Sequence, residues 1–159
     1  MTKSAAVLAV LPALLLSRPV LAADRGEAKA TIAGKELAID YGRPLLNGRD
    51  MLAQAQVGAP WRMGADSATT FKTDVDLSFG QVEVPKGEYV LTATKVAEDK
   101  WELNVRTKEK GKVADVPLTA AKLSASIEAF TIELKGQKDK GTFTMSWGDI
   151  ALSAPFTAK

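Results

Sequence analysis

The chain has 159 residues, 46% hydrophobic and 25% charged, with 21 Lys and Arg against 19 Asp and Glu. It holds neither His nor Cys, which excludes Ser-His-Asp and Cys-His nucleophiles, histidine acid–base chemistry, typical zinc sites and disulfides. No P-loop, G-x-G-x-x-G, S-x-x-K dyad or calcium-loop spacing occurs, so neither a metal nor a cofactor is expected.

The first element is a leader. Lys3 supplies a short positive region, and Ala5 to Leu16 form an apolar run broken only by Pro12. Val20-Leu21-Ala22 then offers the small residues a signal peptidase needs. The run is shorter than the roughly 20 residues of a spanning helix. Residues 1–22 are therefore expected to be a signal peptide cleaved after Ala22 or Ala23, with residues 23–159 a single domain that is not stably inserted in a membrane. Cleavage removes Lys3 and Arg18, leaving 19 basic against 19 acidic residues. A neutral domain makes nucleic acid a poor partner. The expected location is the periplasm or the external medium.

From there the chain alternates with period two, the mark of strands with one buried face. Ala30 to Ile32 and Leu37 to Tyr41 flank Gly34-Lys35 as a hairpin, with Leu37, Ile39 and Tyr41 inward. Pro44 to Ser67 has apolar residues but no sustained period, and "GRDMLAQA" suits one helical turn starting near Asp50. Thr69 and Thr70 open the strand to Phe71. Pro85-Lys86-Gly87 reads as a hairpin loop between Val84 and Tyr89. Trp101, Leu103 and Val105 form one inward set, Phe130, Ile132 and Leu134 another. Phe143, Met145 and Trp147 lead to Gly148-Asp149, read as a two-residue hairpin before Ile150, Leu152, Ala154 and Phe156. "EKGK" and "KGQKDKG" are the tips of two more hairpins, their lysines solvated. Eight or nine short strands predict an all-β domain, an antiparallel β-sandwich or jelly-roll-like barrel with one long irregular loop.

"DYGRP" (Asp40–Pro44), "GR" (Gly48-Arg49), "WRMGADSATT" (Trp61–Thr70), "VPKGEYVL" (Val84–Leu91) and a strand opening at Trp101 occur in an order that resembles the DUF2911 family. That is a bacterial, mostly exported family of unknown function. The resemblance runs from about Ile39 to Trp147 and implies no activity. "QVGAP" stands where the family usually has Val-Pro-aromatic-Gly before the Trp-Arg. Met63 and Asp66 replace a small polar residue and an Asn.

The irregular stretch holds the candidate site. Arg43, Arg49 and Arg62 present planar donors suited to carboxylate, phosphate or sulfate, on loops of the kind that carry function. The same arginines could instead bond loop carbonyls and pair with Asp40, Asp50 or Asp66, pinning a connection that lacks ladder bonds. Trp61 either offers a flat face to a sugar or plugs one end of the fold. Asp40 and Asp66 are candidates for an acid–base pair. The expectation is an exported, non-enzymatic module binding a small or polymeric anionic or carbohydrate ligand through Arg43, Arg49, Trp61, Arg62 and Asp66. Two alternatives stand beside it: a structural or protein-interaction domain with an architectural Trp-Arg motif and an unspecified protein partner, and a carboxylate-based hydrolase.

Overall fold

In the computed structural model, which describes residues 24–159, the alternating segments are strands and no residue is helical. The leader expected over residues 1–22 lies outside the described residues. β1 (Asp24–Ile32) and β2 (Lys35–Arg43) form a hairpin closed by Ala33 and Gly34, at φ 50° and 73°. Two successive left-handed residues twist the turn to match the strands. Leu37, Ile39 and Tyr41 are buried as the alternation requires.

The remaining strands are β3 (Pro60–Trp61), β4 (Thr69–Thr73), β5 (Leu77–Phe79), β6 (Val82–Val84), β7 (Gly87–Ala97), β8 (Lys100–Arg106), β9 (Lys112–Gln137) and β10 (Lys140–Ala158). All pairings are antiparallel, in one sheet of order β1-β2-β4-β7-β8-β9-β10-β5-β6, with β3 also on β7. The all-β, antiparallel class expected from the sequence is observed.

β9 joins the two halves of this sheet. Its first residues pair with β8 and the rest with β10. The sheet turns back on itself, so that β1 and β2 meet the far part of β9. Ala33 N donates to the Lys138 carbonyl at 2.7 Å, and the buried Tyr41 hydroxyl donates to the Ile132 carbonyl at 3.3 Å. Between these layers lies one contiguous apolar cluster that includes Ile32, Leu91, Val105, Phe143, Met145 and Leu152.

Two expected turns take other forms. Gly148-Asp149 is no hairpin: β10 runs straight through it, and register shifts against β9 flank Gly148, at φ 65°. A bulge and a turn both reset inward parity, here from Met145 and Trp147 to Ile150 and Leu152, so alternation alone cannot separate them. Pro85-Lys86-Gly87 joins strands that do not pair, since β6 bonds to β5 and β7 to β4 and β8. It is a crossover, held where Lys86 N donates to Asp76 at 2.7 Å and the Tyr89 hydroxyl to the Pro85 carbonyl at 2.6 Å. After Asp50 the chain makes a single turn, as the sequence suggests. Gln54 N bonds the Asp50 carbonyl at 3.2 Å, and Ala53 N its carboxylate at 3.0 Å.

The outer face of β8 and β9 carries a polar cluster. Asp115 accepts from Asn104 Nδ2 at 2.9 Å, Arg106 at 2.6 Å and Lys112 Nζ at 2.7 Å. Thr94 donates at 2.7 Å to the Asn104 amide oxygen, filling its other side. Partial burial pushes the Asp115 carboxyl up, but the three donors and the Arg106 charge outweigh it and bring it from an ordinary 3.8 down to about 2. A depressed carboxyl stabilises the fold above its unfolded value and loses that contribution as pH falls through its folded one. Asp115→Asn is therefore expected to lower the urea midpoint at neutral pH, with the gap to wild type closing between about pH 4 and pH 2.

Candidate functional site

Phe130 is fully buried where β9 parts from β10. Ser146 is opposite Thr131 and Gly148 opposite Ile127, so two steps on β10 span four on β9. The extra residues would have unbonded backbone, and the segment after β2 supplies the partners. Phe130 N donates to the Pro44 carbonyl at 2.9 Å, and Leu46 N to the Glu128 carbonyl at 3.0 Å. The Glu128 carbonyl also accepts from Trp147 Nε1 at 3.1 Å, and its carboxylate from Asn47 N at 3.0 Å. Arg43 donates from Nε to the Phe130 carbonyl and from its guanidinium terminus to Thr131 Oγ1, both at 3.3 Å.

Around the Phe130 ring stand Tyr41 at 5.7 Å, Trp61 at 5.1 Å and Trp147 at 5.7 Å, each at a steep, edge-type angle. Trp61 lies flat on Trp147, centroids 5.6 Å apart and planes 14° from parallel. Such pairs add about 0.5–1.5 kcal/mol beyond the area they bury. One face of Trp61 is thus spent on Trp147.

The Trp-Arg motif is a single strand interrupted by a loop. Trp61 pairs with Ala93 and Thr69 with Leu91, so eight positions on one chain oppose two on β7. Residues 62–68 loop out and fold back over β2. Met63, fully buried, and Asp66 adopt left-handed φ of 53° and 63°, and Thr69 Oγ1 donates to the Met63 carbonyl at 2.6 Å. Gly64, at φ 144°, lies on Gly42: a Cβ there would come within 2.9 Å of the Gly42 carbonyl oxygen, and one on Gly42 would collide with the backbone of Ala65. "YGRP" and "WRMGAD" are therefore the two sides of one main-chain contact.

The sequence-predicted residues are brought to this region, with Arg49, Arg62 and Asp66 exposed and Arg43 and Trp61 partly buried. Arg43 is directed inward to β9. Arg49 donates from Nε to the Leu46 carbonyl at 3.4 Å, within its own loop. Arg62 donates to the Asp66 carbonyl. Asp40, on β2, is ion-paired with Arg25 of β1. Arg25, which the sequence reading missed, also reaches the carbonyls of Ala65 at 3.5 Å and Ser67 at 3.4 Å. Among the described residues, no group of three or more acidic side chains could hold a metal ion.

A second feature went unread. In β7 the inward set Tyr89, Leu91, Ala93 continues to Lys95, which is only 7% exposed. It stands at a cleft of about 470 Å³ whose lining includes Leu52, Trp101, Lys122, Asp149 and Ile150. The alternation of β7 carries this lysine inward, where the charge alone would place it in water.

The family model described as "Protein of unknown function (DUF2911)" matches residues 23–156. No curated protein and no solved structure matches significantly. Gly42→Ala is expected to cost about 3 kcal/mol, the upper range for overpacking, or roughly 10 °C in a domain of this size. Gly34→Ala, in an open turn at φ 73°, is expected to lose only the roughly 1–2 kcal/mol of a left-handed residue. Paired thermal melts check this, and equal losses would remove the role assigned to the Gly42–Gly64 contact.

Proposed function

The chain belongs to the DUF2911 family of proteins of unknown function, and on that premise we propose that it is an exported, non-catalytic binding domain in which the Trp-Arg motif closes the fold. Its ligand is a small or polymeric anionic or carbohydrate molecule, received away from the motif. The single observation that carries this reading is the direction of the arginine donors. Arg25, Arg43, Arg49 and Arg62 are turned to carbonyls of their own chain. A guanidinium engaged this way has fewer donors left for a ligand carboxylate or phosphate. On this reading Arg43, Arg49, Trp61, Arg62 and Asp66 act on ligand binding through the fold rather than by contact.

The domain is released after cleavage behind Ala22 or Ala23. Among the described residues no helix is long and apolar enough to cross a membrane. Asp40 faces Arg25, which gives the hydrolase alternative no support.

Two measurements on the mature protein test the proposal. Arg62 is exposed and its described bond is to one main-chain carbonyl, so Arg62→Ala is expected to lose about 0.5–1.5 kcal/mol, a melting shift of roughly 2–6 °C. A thermal-shift screen of small anions and soluble oligosaccharides is expected to find stabilisers, since a ligand that binds only the folded state raises the midpoint. Their effect should survive Arg49→Ala and Arg62→Ala. A stabiliser whose effect vanishes in those variants would move the site to the motif, and hydrolysis of a screened compound would favour the enzyme.

A further inference from the structure

A lysine on the inward face of a strand conflicts with its surroundings, and such conflicts concentrate at functional sites. Lys95 continues the buried row of β7 and pairs in register with Trp101 of β8. Its ammonium has three donors. Among the described hydrogen bonds one acceptor meets them, Glu98 Oε1 at 3.4 Å, and the Glu98 side chain is 85% exposed on the following turn. A long bond to a solvated carboxylate is a weak hold on a charge taken out of water. Beyond Glu98 the cleft is lined by apolar Leu52, Trp101 and Ile150 and by the Asp99 carboxylate, and Lys122 faces Asp149 at 3.6 Å.

We propose that this cleft is a ligand site for a small carboxylate with an apolar body, whose head group displaces Glu98 from Lys95 while its tail lies against Trp101, Leu52 and Ile150. The inference rests on the binding reading above and adds the location and the ligand class. A lone ammonium is a point charge with no geometric demand beyond an anion, so one carboxylate oxygen suffices. Glu98 then acts as a built-in competitor, holding Lys95 while the cleft is empty. The roughly 470 Å³ available is within the range of small-molecule sites.

The probe is octanoate, compared with octanamide, which has the same body without the charge. Binding to the mature protein is followed by the methyl resonances of Leu52 and Ile150. Octanoate is expected to shift both and to bind at least about tenfold more tightly than octanamide, as charge-assisted bonds outweigh neutral ones. Lys95→Met, which keeps length and apolar packing, should erase that preference. Glu98→Gln should tighten octanoate several-fold, and it stands as an independent check should Lys95→Met fail to fold. Equal affinity for the two probes, or tightening absent in Glu98→Gln, overturns the assignment. Absence of octanoate binding alongside stabilisers from the screen overturns the ligand class and leaves the binding reading intact, whereas a screen without stabilisers removes both.

Discussion

Everything in the region of the Trp-Arg motif follows from one constraint: residues 128–130 leave their ladder with β10 and must bond elsewhere. Pro44 and Leu46 provide that bonding, which fixes the exit of the chain from β2. The Phe130 side chain is thereby directed into the interior, where Tyr41, Trp61 and Trp147 can meet it edge-on. Trp61 is brought there by its pairing with Ala93, and that pairing obliges residues 62–68 to loop out before Thr69 rejoins β7. The loop can lie down only on a residue without a side chain, and Gly42 is that residue. A bulge in one strand, an aromatic cluster and two glycines are thus a single construction.

The strands were legible in the sequence because each has a wet and a dry face. Trp101, Leu103 and Val105 are buried as read, and so are Phe143, Met145 and Trp147. Partnership was less legible than position. Gly148 resets parity as a turn would, and only the register with β9 distinguishes them. Val84 and Tyr89 flank a turn-like tripeptide, yet which strand each bonds depends on the whole sheet. The motif residues were correctly singled out as unusual, but the sequence offers no direction for a guanidinium. Their targets are main-chain carbonyls, which have no residue-type signature. Glu128 was missed for the same reason, since its partners are the backbone N–H groups of Leu46 and Asn47, and Arg25 because its carboxylate partner, Asp40, lies across the hairpin.

Lys95 shows the opposite limit. Its position in the alternation was plain, and the chemistry of the residue argued against following the pattern. A buried ammonium is costly unless paired, so the default places a lysine in water. Here the sheet carries it inward and supplies a partner that is itself solvated. Natural proteins commonly accept lower stability where a side chain serves binding.

The bond from Arg43 to Phe130 closes a stretch of 87 residues, which bears on how the chain reaches this structure. The β1–β2 and β9–β10 hairpins are built from adjacent sequence and can form early, whereas their meeting waits on everything between. Non-local contacts of this kind slow folding. The entropic cost of closing a long segment grows only with the logarithm of its length, about 0.6 kcal/mol for each doubling. Extra residues in the exposed stretch around Gln56–Ala59 would therefore delay assembly far more than they would weaken the finished domain. That stretch, lying between Leu52 and Trp61, is where the fold has room to vary in length.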